Sequence, residues 1–82
     1  MKAFVVFIVF ADDAGSDPAV GHVAKTWELA NGWLASEAGR CVEYGETVEY
    51  DPEAGILDTV ADGDAGTISV RYTIHEINVD CG

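Results

Sequence analysis

The sequence predicts an α+β fold, one helix packed on an antiparallel sheet in the order β-α-β-β-β, and three patterns carry that expectation. An alternating apolar run opens the chain, a stripe of apolar residues at spacings of three and four follows, and from Arg40 onward the alternation has a period of two. At 82 residues there is room for a single domain, 1-82. Its core is small, near the lower limit at which burial offsets chain entropy.

The first strand is expected over 2–11. Phe4, Val6, Ile8 and Phe10 share one face, and Ala3, Val5, Phe7 and Val9 share the other. Apolar residues on both faces suit a central strand covered on both sides, or one whose second face is hidden in a partner. A signal peptide is the poorer reading, because the apolar run is short and leads into Asp12-Asp13.

Residues 12–18 end that strand. Asp17 is placed to N-cap a helix with Pro18 at its first position, and the helix is expected to run to about Ala38 with Gly39 as its stop. Val20, Val23, Trp27, Ala30 and Leu34 form its core stripe. A step of about 100° per residue turns Leu29 and Trp33 to the stripe's edge. There they are candidate contacts to a partner or to a second copy in a homodimer, with rim packing as the alternative.

Beyond the helix, Val42, Tyr44, Val48 and Tyr50 share one parity and Glu43, Thr47 and Glu49 the other, with Gly45 marking a bulge or bend. Residues 51–55 have the chemistry of a hairpin turn, and 56–60 would be the return strand. A short helix over 52–61 competes with this, but Gly55 and the β-branched residues around it weigh against helix. Residues 61–66 form a second turn and 67–79 a long last strand. Ile68, Val70, Tyr72 and Ile74 share a parity that Ile77 and Val79 do not, which predicts a bulge near His75-Glu76.

The chemistry-bearing residues are few. His22 and His75, with Cys41 or Cys81, are the ingredients of a thiol nucleophile and its base. No Cys-x-x-Cys, His-Glu-x-x-His or Gly-x-Ser-x-Gly accompanies them, and so small a chain has little room to shield a reaction from water, so the reading is not an enzyme and needs no cofactor. Asp62-Gly63-Asp64 has the start of a calcium loop without its closing bidentate Glu, and a strand is expected after it, so a solvated turn is read there rather than a metal site. Asp12, Asp13 and Asp17 read as helix-start residues. Cys41 and Cys81 fall where neighbouring strands would bring them within disulfide range, while reduced thiols suit a cytoplasmic protein; the sequence leaves both open. No apolar segment is long enough to span a bilayer, and an acidic surface is repelled by anionic headgroups, so no membrane partner is expected.

Charge is the strongest pointer. Fifteen Asp and Glu stand against four Lys and Arg, a net charge of −11, in a chain that is 49% hydrophobic. A disordered acidic tail would lack those apolar runs. Between Arg40 and Arg71 lie eight carboxylates, Glu43, Glu46, Glu49, Asp51, Glu53, Asp58, Asp62 and Asp64, and no Lys or Arg. Same-face residues of a strand repeat about every 6.7 Å, on the scale of successive phosphates in a nucleic-acid strand. These eight are therefore the candidate contacts to a basic nucleic-acid-binding protein, with no direct binding of nucleic acid. An acidic skin adapted to high salt, or a small protein-interaction module, would show the same composition.

In size, acidity and its one-helix-plus-sheet pattern, the chain resembles the small phage-encoded inhibitors of bacterial defence, among them anti-CRISPR proteins and other DNA mimics. The resemblance covers the whole chain as composition and pattern, and no motif residue carries over. It implies a stoichiometric inhibitor in the host cell cytoplasm, blocking a basic nucleic-acid channel on a CRISPR effector complex or similar nuclease.

Overall fold

The first strand, β1 (Lys2–Phe10), is apolar on both faces and takes an interior place in the sheet. In the computed structural model, which describes residues 1–10, 18–63 and 66–79, it pairs antiparallel with β2 (Ala19–Ala24) on one side. On the other side it pairs with β5 (Gly66–Asn78). The helix α1 (Trp27–Glu43) follows β2, and the chain then returns through β3 (Thr47–Asp51), β4 (Ile56–Gly63) and β5. All five strands form one sheet in the order β2-β1-β5-β4-β3, with the single helix on one side. The expected α+β class holds, with one strand more than the predicted order.

That extra strand corrects the reading of the predicted helix start. Asp17 lies outside the described residues, and the chain from Ala19 to Ala24 is extended. Val20, Val23 and Gly21 all disfavour helix, and in strand form they cover a flank of β1 that would otherwise be a bare edge. The effective N-cap is Thr26, whose extended backbone turns its hydroxyl to accept from the Leu29 N–H at 3.2 Å, with Glu28 in the positive first turn. Gly39 does not stop the helix. The buried stripe continues from Leu34 to Cys41, and the end comes where the Tyr44 N–H bonds back to the Arg40 carbonyl at 3.2 Å and Gly45 takes φ 82°. Cys41 is consequently a buried helix residue and not the head of a strand.

The seam between helix and sheet holds Val6, Ala24, Ala30, Leu34 and Leu57, ringed by Phe4, Trp33, Val48, Tyr50, Tyr72 and Ile74. Trp27 meets Phe4 edge-on, centroids 6.3 Å apart. Of the predicted core, Val23 and Phe10 are 56% and 49% exposed, because Val23 is on the outer face of an edge strand and Phe10 ends β1.

Two glycines make this packing possible. A Cβ on Gly21, beside the irregularity of the β1–β2 register at Val6/Phe7, would sit 2.7 Å from Ile8 and 3.3 Å from Trp33. Gly55, at φ 69°, closes the β3–β4 turn where a Cβ would lie 2.5 Å from Trp27. The same turn is latched to the helix: the Asn31 amide donates to the Pro52 carbonyl at 2.6 Å, and the Tyr50 hydroxyl bonds to Asn31.

The predicted hairpin over 51–55 is present. The bulge near His75-Glu76 is not, since β5 runs in unbroken register with β1 from Lys2↔Asn78 to Phe10↔Val70. Ile77 therefore keeps its opposite parity and projects from the side of the sheet away from the helix. The shortest dimension of the molecule is 17 Å, enough for one helix layer on one sheet layer and no more. Among the described residues, no helix or strand packs on the far side of the sheet.

Candidate interaction surface

Strand register sorts the residues of that bare face. From β3 and β4 come Glu49, Asp51, Asp58 and Asp62, with Ile56 and Val60 between them. From β1, β2 and β5 come Val5, Phe7, Val9, Val20, Val23 and Ile77, beside Thr73, His75 and Arg71. One face thus has two halves, acidic towards the β3 edge and apolar towards the β2 edge.

The carboxylates differ in what already holds them. Glu49 and Asp58 are directly opposed across β3 and β4, a like-charge pair that is unfavourable by itself. Arg71 relieves it. From the next strand its guanidinium grips Asp58 with two bonds, Nε at 2.8 Å and a terminal nitrogen at 3.2 Å. The expectation that the acidic interval has no cation to pair with is therefore corrected at Asp58, by a residue at the interval's boundary. Asp51 accepts the Glu53 and Ala54 N–H groups at 3.1 and 3.2 Å and shapes the turn. Asp62 accepts the Thr67 hydroxyl at 2.9 Å.

The remaining candidates fall elsewhere. Glu43 ends the helix, Glu46 lies half-buried between helix and β3, and Glu53 is exposed in the turn. Asp64 lies outside the described residues, as do Asp12, Asp13 and Cys81. The eight carboxylates do not make one row. Glu49 and Asp51 stand one same-face step apart, about 6.7 Å, whereas Asp58 and Asp62 are two steps apart, about 13 Å. Shallow depressions of about 460 and 270 Å³ flank the Asp58–Arg71 pair, the larger lined by Val9, Glu49, Val60 and Ser69, the smaller by Glu49, Asp51 and Ile56.

Of the helix pair, Leu29 is 59% exposed. Trp33 packs against the core, stacked on His22 at 5.3 Å and tilted against Tyr72 at 6.1 Å. Its ring serves the seam.

Of the groups thiol chemistry would need, His75 is on the bare face, bonded to Thr73 at 2.9 Å and edge-on to Phe7, whereas Cys41 is buried on the helix side. His22 shares the helix side, where its ring is stacked on Trp33. Burial, and then the Glu46 and Glu37 carboxylates, push the Cys41 thiol above its ordinary 9.0, which makes it a poor nucleophile. Among the described residues no group of three or more His, Cys, Asp or Glu is arranged to hold a metal ion. No helix among them is long and apolar enough to cross a membrane.

No protein family, curated protein or solved structure matches the chain. Of the apolar half of the bare face, sequence reasoning gave the second face of the first strand as one that a partner could hide, and missed the contributions of Val20 and Val23, assigned to the helix, and of Ile77, whose parity was assigned to a bulge.

Proposed function

We propose that this chain is a non-catalytic inhibitor of the anti-CRISPR type, whose acidic sheet margin occupies a basic, nucleic-acid-binding surface on another protein and keeps the nucleic acid out. One observation supports it above the others. Glu49, Asp51, Asp58 and Asp62 share one solvent-facing side of β3 and β4, where Arg71 is the sole cation among the described residues. Lys2 and Arg40 are taken by Glu76 and Glu37, at 2.9 and 2.7 Å, and the fourth cation, Lys25, lies in the link between β2 and α1 and not on β3 or β4. A basic groove would supply the missing counter-charge, and long-range attraction would speed encounter.

The test compares the wild-type chain with a variant carrying Glu49→Gln and Asp62→Asn, near-isosteric changes at exposed positions of that face. Guide-directed DNA binding by purified CRISPR effector complexes is measured with each. Wild type should suppress binding in a way that weakens between 0.1 and 1 M salt, as the Debye length falls from about 10 to about 3 Å. The amide variant should lose most of the effect with its fold intact. Equal inhibition by both proteins, or none by wild type against complexes or other nucleases, removes the reading. A chain that folds only in about molar salt would assign the acidity to salt adaptation instead.

A further inference from the structure

The apolar half of the bare face has a different occupant from the acidic half. Val5, Phe7, Val9, Val20, Val23 and Ile77 share this side of β2, β1 and β5; Val9, Val20, Val23 and Ile77 are 41, 59, 56 and 41% exposed, Phe7 is half-buried, and Val5, at 5%, is buried at the centre. Among the described residues, no carboxylate stands on this face of those three strands. In a chain of net charge −11 that is a marked local exclusion of negative charge, and the one cation on this face of the three strands among the described residues, Arg71, is already paired with Asp58. A basic partner would find no carboxylate there to pair with. What fits is a second apolar strip of the same shape, and the chain itself carries one.

We propose that two copies stack these strips face to face, β1 over β1, about a two-fold axis running along the strands. The result is a four-layer sandwich, helix-sheet-sheet-helix, with the sheets about 10 Å apart. The strand order makes this arrangement electrostatically tolerable. With β1 over β1, each β5 lies over the partner's β2, so β4 and β3 project past the partner's edge, on opposite sides of the dimer. The two β4 strands are then four strand spacings apart, about 19 Å, more than twice the Debye length of about 8 Å at 0.15 M salt. The acidic halves stay in solvent, and the proposal does not rest on what they bind.

Area sets the strength. β1 has nine residues and β2 six, so the overlap of β1 with β1 and of each β2 with the partner's β5 presents roughly 330 Å² of flat face per copy before side-chain relief is added. The two copies together then bury roughly 660 Å², below the about 1,000 Å² of a stable specific interface, so the dimer is weak, reversible and concentration-dependent.

Sedimentation equilibrium tests this on the whole chain between about 10 µM and about 1 mM, the range in which an interface of that size associates. The mass should rise from 8.7 kDa toward twice that value, and association should hold or strengthen as salt is raised. Val9→Lys with Val20→Lys should weaken association at least about tenfold, since two charges would be desolvated at the interface centre. Both sites are exposed, so far-UV circular dichroism should be unchanged; each single substitution serves should the pair disturb folding. Leu29→Lys, equally exposed but on the helix, should leave the dimer intact. A wild type that stays monomeric at the highest concentration overturns the proposal. So does dissociation by Leu29→Lys rather than by the strand lysines.

Discussion

Leu34 and Val23 would belong to one apolar stripe if the chain were helical from Pro18, and the structure separates them completely. Leu34 is 0% exposed at the helix–sheet seam, while Val23 is 56% exposed on β2. Truncating each to alanine therefore tests the architecture. Leu34→Ala removes three carbons, about 2.4 kcal/mol at about 0.8 per methylene, and adds a cavity that the hydrogen-bonded sheet beneath cannot close, for a total of about 3–4 kcal/mol. Val23→Ala removes two carbons that are less than half buried, and with a small loss of strand propensity it should cost about 0.5–1 kcal/mol. A domain of this length holds about 4–12 kcal/mol in all, so the first change takes away a large share and the second little. Urea unfolding followed by the fluorescence of Trp27 and Trp33 reads both. With a slope near 1 kcal/mol/M, the Leu34→Ala midpoint should fall by roughly 3 M and the Val23→Ala midpoint by less than about 1 M. Equal losses would mean that Val23 is in the core, and the assignment of β2 would be wrong.

Three further outcomes are expected. Gly45→Ala meets only the backbone cost of φ 82° with nothing near its Cβ, about 1–2 kcal/mol, whereas Gly55→Ala must also displace Trp27 and should cost at least about 1 kcal/mol more in the same unfolding assay. Tyr50→Phe deletes the hydroxyl that ties β3 to Asn31 and should cost about 0.5–1.5 kcal/mol, with faster amide exchange in the 52–55 turn. Burial raises Cys41 above 9.0 and Tyr50 and Tyr72 above 10.0, so the unfolded chain loses these protons first and stability falls as pH climbs through 9 and then 10. Melting temperature against pH for wild type and Cys41→Ser checks the sign, because the serine variant should hold its stability until the tyrosines begin to ionise.

The α+β class, the β3–β4 hairpin and the opening strand were legible because each is written in local periodicity and turn chemistry. The helix boundaries were not. Val20 and Val23 have helical spacing with Trp27, Ala30 and Leu34, and nothing local shows that β1 needs a neighbour on its second edge. The demand is tertiary and outweighs the spacing. Asp17-Pro18 has the fuller capping signal in sequence, and the cap that acts, Thr26, was not read from it. The acidic interval was legible as a count and not as a surface, since the count could not show that Arg71 reaches back to Asp58 or that Glu43, Glu46 and Glu53 leave the face. Trp33 looked like an edge residue by angle alone. What turns it inward is the gap over Gly21, where a Cβ would crowd it, and the stacking of His22 on its ring.

The two edges of the sheet differ as its two halves do. β3 carries Glu49 and Asp51, charges that discourage edge-to-edge pairing with another sheet. β2 reads Ala-Val-Gly-His-Val-Ala, with no full charge and only the irregularity at Gly21 to interrupt its ladder. An uncharged edge beside an apolar face is a hazard for a free monomer, and a solvent-exposed chain of this acidity could have placed a carboxylate there at almost no cost to folding, as it did on β3 and β4. Leaving the β2 side without one makes sense if that side is covered in the working state, while the carboxylates gather on strands that remain in solvent. On the two proposals made above, negative charge on this fold marks the side that meets an unlike partner, and its absence marks the side that meets a like one.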